Sequence, residues 1–235
     1  MRLHTTTWGS GDRIALLVHG LMADHRTWRR VGPALAERGY RVVAVDLRGH
    51  GASGRAAGPE AYRPEDHVED LVETLPAGAE LALGHSLGGL VLAGALDRLA
   101  PARAVFSDPA WHLGAGPGGY RADLFVRGKS MTRGQIKGFN PHWSDEDVDT
   151  EMASVRDWDE RTAHGLMGSV GADLWPASAS VPSLVTLADP SLLVSPGAAR
   201  MLEGRGFTVR TVAGTGHTIH RDDFGGFMSA LDDWI

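Results

Sequence analysis

A serine flanked at two positions by glycine, Gly84-His85-Ser86-Leu87-Gly88, sits where an apolar run gives way to a helical pattern. In that context G-x-S-x-G marks a sharp strand-to-helix turn. Glycines at both ends let the chain fold back tightly, so Ser86 is held with its hydroxyl above the edge of a sheet. The bland alternative is a turn with a helix-capping serine. A hydroxyl is a weak nucleophile, so a base and an orienting acid must follow later in the chain. His217, in Gly214-Thr215-Gly216-His217, comes directly after the last apolar run, and its glycine neighbours allow a loop to carry the imidazole over Ser86. Two aspartates compete for the acid, Asp108 in Phe106-Ser107-Asp108-Pro109 and, as the alternative, Asp189 in Ala188-Asp189-Pro190-Ser191. Asp108 ends the strand beside that of Ser86, within reach of the far nitrogen of His217. Either Asp-Pro pair also suits an ordinary turn or helix cap. His217 and His220 have H-x-x-H spacing, but no third ligand follows at a clear interval, so no metal is expected. This chemistry calls for no cofactor.

Short apolar runs at 14–18, 42–45, 81–83, 104–106, 184–187 and 208–212 supply the strands that must position these residues. Helical spacing of Trp28, Val31 and Leu35, of Val68, Leu71, Val72 and Leu75, of 87–99, and of Phe224, Phe227, Leu231 and Trp234 fills the intervals. The alternation predicts an α/β fold, a doubly wound and mostly parallel sheet. It breaks over 109–180, which holds Trp111, Trp143, Trp158 and Trp175, four of the seven tryptophans, and an acidic run over 145–151. That stretch is expected to be a helical cap inserted into a core formed by 1–108 and 181–235. Trp111, three residues past Asp108, is expected to bind substrate near the mouth of the site, with further cap tryptophans as a lid. Aromatic side chains that simply pack the cap onto the sheet are the competing reading.

The 235 residues suit one core with a lid. The net charge is −6, and the only lysines are Lys129 and Lys137, with 21 arginines scattered and no basic block. No nucleic-acid partner is expected. With no cysteine there is no disulfide, thiolate nucleophile or iron–sulfur ligand, which fits a reducing cytosol. No leader-like start and no stretch of ~20 apolar residues is present, so the expectation is a soluble, cytoplasmic chain with no membrane partner. Oligomeric state is left open.

His19-Gly20-Leu21, the stretch from Asp46-Leu47-Arg48-Gly49 through His50-Gly51-Ala52-Ser53, the Ser86 elbow and Gly216-His217 occur in the order and spacing of the α/β-hydrolase fold superfamily. Outside the cap, nearly the whole chain resembles that family. The resemblance implies a serine hydrolase with an oxyanion hole built from the backbone N–H groups of Leu21 and Leu87. Most members carry the acid about three residues before a Val-x-Pro, and counting back from Val194-Ser195-Pro196 gives Ser191, which cannot serve. Asp189 would serve only with a rearranged loop, whereas some members carry the acid where Asp108 stands. Relatives that open epoxides or haloalkanes place an aspartate where Ser86 stands. The acid position, with the segment from Gly216-His217 to His220-Arg221, also resembles zearalenone-type lactonases and implies an apolar ester or lactone as the small-molecule substrate. Carbon–carbon hydrolase, thioesterase or lyase chemistry, and a ligand receptor with vestigial hydrolysis, are the alternatives on the same constellation.

Overall fold

A computed structural model describes residues 1–114 and 119–235. Its strands are β1 (Thr5–Trp8), β2 (Arg13–Val18), β3 (Tyr40–Val45), β4 (Leu81–His85), β5 (Arg103–Ser107), β6 (Ser183–Leu187) and β7 (Thr208–Thr211). They form one sheet in the order β1-β3-β2-β4-β5-β6-β7, antiparallel between β1 and β3 and parallel elsewhere. Six of these are the apolar runs of the sequence. The seventh, β1, is not legible there because its Thr-Thr-Thr-Trp segment lies at a sheet edge with every residue at least partly exposed, so no apolar run is required of it.

Helices α1 (Val31–Ala36), α2 (Pro64–Thr74) and α3 (Leu87–Leu99) connect the first five strands. Between β5 and β6 lie α4 (Ala122–Arg127), α5 (Arg133–Phe139), α6 (Asp145–Asp157) and α7 (Arg161–Gly165); α8 (Pro196–Gly204) joins β6 to β7, and α9 (Ile219–Asp222) and α10 (Phe224–Leu231) follow. Successive strand residues face opposite sides, so Leu16 and Val18 pack with α2, α3 and α8, while Ala15 and Leu17 pack with α1 and α10. The helix expected from Trp28 onward is instead a 3-10 turn, His25–Trp28, followed by α1. Asp24 ends the preceding loop by accepting the Arg26 N–H at 2.9 Å.

The segment between β5 and β6 is tied down by charge. Arg29 meets Glu146 at 2.9 Å and Asp147 at 2.7 Å, Arg26 meets Asp157 at 2.9 Å, and Arg221 meets Glu151 at 2.6 Å, all on α6. Three of its tryptophans, Trp111, Trp143 and Trp158, are interior, and Trp175 is half-buried. Trp158 packs with Ala122, Val155 and Ala163, and Trp143 with Ile136 and Val148. Among the described residues no helix is long and apolar enough to cross a membrane.

Buried imidazoles hold the loops above the sheet. His19 Nδ1 donates to the Gly20 carbonyl at 2.7 Å while its Nε2 accepts the Leu47 N–H at 2.9 Å. His50 Nδ1 donates to the Arg48 carbonyl at 2.9 Å and its Nε2 accepts the Met22 N–H at 3.3 Å. Each ring is therefore needed neutral. Burial pushes His50 down to about 3 and also lowers His19, His67, His85 and His220. His25 alone moves the other way, raised by its hydrogen bond to Asp46. A lowered histidine contributes its full stability above the unfolded value near 6.5 and loses about 1.4 kcal/mol per pH unit below it, until the folded value is reached. With five rings lowered and one raised, stability is expected to fall from pH 6.5 toward 4. Urea melts at pH 7.5, 6 and 5 check this; an unchanged midpoint across the series would contradict it.

Candidate active site

Every candidate residue sits at the carboxyl ends of the parallel strands, where an open α/β sheet presents its crevice. Ser86 follows β4 and opens α3 with φ +53° and ψ −118°. The glycines explain how this turn closes. A Cβ on Gly84 would lie 2.5 Å from the Gly88 carbonyl oxygen, and one on Gly88 would lie 2.2 Å from the Val18 carbonyl oxygen. Neither position admits a side chain. The Ser86 N–H donates to the Ser107 carbonyl at 3.0 Å, and the Ser86 carbonyl accepts the N–H groups of Leu90 and Ala110, each at 3.1 Å. The elbow is thus fastened to its helix and to the loop after β5.

Asp108 follows β5 and is fully buried. Its Oδ2 lies 2.6 Å from His217 Nδ1, and its Oδ1 accepts the Ser191 hydroxyl at 2.6 Å. Ser191 Oγ in turn accepts the N–H groups of Leu193 at 3.2 Å and Val194 at 2.9 Å, which fixes the direction of its own proton toward Asp108. Asp189 is exposed, and among the described residues its carboxylate makes no hydrogen bond to His217. The structure therefore brings Asp108, and not Asp189, to the imidazole. Sequence reasoning rejected Ser191 as an acid without finding its role as a donor to one.

His217 is half-buried between β7 and α9. His85, inside the elbow motif, donates from Nε2 to the His217 carbonyl at 2.9 Å, and its ring lies 4.7 Å from the His217 ring. Nucleophile turn and base loop are coupled through that bond. His220 turns elsewhere: its Nε2 lies 3.0 Å from Thr27 Oγ1 and its ring stacks on Trp28 at 4.5 Å, so H-x-x-H is used for two separate purposes. A third histidine group does have ligand-like composition. His4, His25 and Asp46 bring one donor atom each within 4.8 Å, but the Asp46 oxygens already accept both imidazoles and the N–H groups of His25 and Ala52.

The N–H of Leu87 opens α3, and the N–H of Leu21 lies in the loop after β2; neither has a protein acceptor among the described residues. The next residue, Met22, has φ +67°. Of four non-glycine residues with positive φ among the described residues, Ser86 and Asp108 carry candidate chemistry and Met22 borders the oxyanion position, a concentration of strain typical of functional sites.

Ser86 and His217 border a cavity of about 210 Å³ lined by Leu21, Leu87, Leu90, Leu113, Tyr120, Phe125, Leu166, Leu192 and Leu193. Its wall is almost wholly apolar. Trp111 is not part of it, which corrects the expectation placed on that residue. Trp111 is fully buried, donates from Nε1 to the Gly89 carbonyl at 3.2 Å, and packs on Phe106 at 4.8 Å and Phe207 at 5.7 Å. Its indole N–H finds a backbone acceptor on α3, which holds the ring in the core.

Three comparisons bear on this arrangement. A model of the alpha/beta hydrolase family matches residues 15–229. Epoxide hydrolase B of Mycobacterium tuberculosis is 40% identical over 96 residues, which span 38% of this chain and 27% of that protein. Among solved structures, the N-formylmaleamic acid deformylase of Pseudomonas putida S16 superposes with TM-score 0.82 at 21% identity, covering 98% of this chain and 95% of that one. The enol-lactonase of Burkholderia xenovorans LB400 superposes with TM-score 0.76 at 22% identity, covering 98% and 95%.

Proposed function

Because this chain belongs to the alpha/beta hydrolase family, we propose that it is a serine hydrolase that cleaves a carboxylic ester or lactone of an apolar small molecule. The observation that carries this reading is the strained Ser86 turn facing the same apolar cavity as His217, whose Nδ1 is held by a buried carboxylate. His217 takes the Ser86 proton as the oxygen bonds to the substrate carbonyl carbon. The N–H groups of Leu21 and Leu87 receive the resulting oxyanion, and collapse of the intermediate breaks the carbon–oxygen bond while His217 returns the proton to the leaving alkoxide. Water then repeats the sequence on the acyl-enzyme, releasing the acid and restoring Ser86. In a lactone, the leaving hydroxyl stays tethered to the acyl group, and the second step releases a single hydroxy acid.

The solved neighbours include a deformylase, an esterase and an enol-lactonase, reactions that share attack on an acyl carbon. Epoxide opening, raised by relatives matched over only part of their length, is disfavoured because the family resemblance implies an aspartate for that reaction where this chain has Ser86. All three groups of the proposed triad come from the chain itself. A panel of p-nitrophenyl esters of increasing acyl length, simple lactones and a resorcylic macrolactone, each with the Ser86→Ala control, tests the reading. Serine-dependent turnover of one class supports it, and turnover that survives Ser86→Ala overturns it.

Ser191 supplies a finer test of the acid. Ser191→Ala removes one of the two hydrogen bonds that fix Asp108, and kcat is expected to fall about tenfold, with Ser191→Thr retaining most of the rate because it keeps the hydroxyl. Steady-state kinetics on the best ester of the panel measures this. Equal rates for the Ala and Thr variants would deny the hydroxyl a role.

A further inference from the structure

A smaller chamber of about 130 Å³ also borders Ser86 and His217, and its wall includes Thr27, Glu151, Thr218 and Arg221. Leu21 and Phe125 are common to both cavities. The larger cavity is apolar, whereas the wall of the smaller one sets hydroxyls and a charged pair among Leu21, Met22, Ala23 and Phe125. It also shares Met22 and Glu151 with an outer groove of about 330 Å³.

Arg221 is the unexplained member. It is 3% exposed, its Nη1 donates to Glu151 Oε2 at 2.6 Å, and its guanidinium carbon lies 4.6 Å above the Trp143 ring. Its Nε and Nη2 are buried and have no acceptor among the described residues. Guanidinium donors withdrawn from water without a partner carry a substantial desolvation cost. The two unpaired nitrogens form one edge of the guanidinium, the edge whose parallel N–H bonds match the two oxygens of a carboxylate. Glu151 and Trp143 hold the group from its other end and from its face, so that edge is fixed in place. Five donors suffice for two carboxylates on separate edges of one arginine.

We propose that the smaller chamber is a carboxylate subsite, so that the substrate carries an apolar arm on one side of the scissile bond and a carboxylate on the other, held side-on by Arg221. This rests on the serine hydrolase reading above and narrows its substrate class to acidic esters or lactones. No feature of the sequence announced it, because Arg221 lies just past His217 and its partner Glu151 is 70 positions away.

The test compares acids with their neutral caps on both arms of the ester. 4-Nitrophenyl hemiglutarate is set against its methyl-capped diester, and 4-butyryloxybenzoate against its methyl ester. On one of the two arms kcat/KM is expected to favour the acid by roughly 10- to 100-fold, the scale of a charge-assisted bidentate contact. Arg221→Gln is expected to erase that ratio and Arg221→Lys to retain part of it. Because Arg221 also pins α6, the intact fold is tested too: glutarate should inhibit hydrolysis of 4-nitrophenyl butyrate at least tenfold more strongly than glutaramide. Ser86-dependent hydrolysis with equal handling of acids and caps on both arms, and equal inhibition by glutarate and glutaramide, would overturn the subsite while leaving the hydrolase reading in place. If no ester is turned over, the hydrolase reading fails instead, and calorimetric titration of glutarate and glutaramide into the wild-type protein decides the subsite alone.

Discussion

Ser86→Ala is expected to lower kcat for ester hydrolysis by roughly 10⁶-fold while leaving the fold intact, the scale seen when a triad nucleophile is removed. The size follows from the loss of the covalent route, since every later step requires the acyl-enzyme. The fold survives because the turn is held by backbone bonds of Ser86 to Ser107, Leu90 and Ala110, none of which involves the side chain. Parallel measurement of kcat and of the thermal midpoint checks both halves. A rate within tenfold of wild type would remove Ser86 from the mechanism, and a collapsed midpoint would show that the hydroxyl holds the turn.

Asp108→Asn is expected to cost about 10⁴-fold in kcat, and Asp189→Asn less than twofold. The direction of the Ser191 bond makes the first effect specific. Ser191 Oγ already accepts two backbone N–H groups and so donates to position 108. An asparagine there would turn its carbonyl oxygen to Ser191 and its amide N–H to His217 Nδ1. The imidazole would then keep its proton on Nε2, the nitrogen that must accept from Ser86, and could no longer act as base. Asp189 is exposed, and among the described residues its carboxylate makes no hydrogen bond to the imidazole, so little effect on the reaction is expected from its substitution. Kinetics of the two variants side by side settles the assignment; the reverse order of effects would place the acid at Asp189.

The sheet was legible because a parallel strand buried on both faces leaves an unmistakable apolar run, as 14–18 and 81–83 do. The edge strand Thr5–Trp8 escaped because it is bound on one side only and needs no such run. Ser86 and His217 were legible for a different reason: a strained turn and a glycine-flanked loop both demand small neighbours at fixed offsets. The choice between Asp108 and Asp189 was not contained in local sequence, since both precede proline. Burial and partners distinguish them, and those depend on where β5, β6 and the Ser191 loop come together in space. Trp111 failed as a pocket residue because proximity to Asp108 in sequence says nothing about which side of the chain the ring takes. The Gly89 carbonyl decided that. The leucines that do line the cavity come from five separate segments, and no periodicity marks them as a group. Arg221 and Glu151 are of the same kind, a pair made only by docking α6 against α9.

The central claim is that Ser86 forms a covalent acyl intermediate under the control of His217 and Asp108. Its most direct measurement is labelling with a fluorophosphonate followed by intact-mass analysis and peptide mapping, on wild type, Ser86→Ala and Asp108→Asn. The expected result is one adduct per wild-type chain, located at Ser86, none on the alanine variant, and labelling slowed by orders of magnitude in Asp108→Asn. An adduct elsewhere, or ester turnover by a wild-type chain that takes no label at Ser86, would contradict the account.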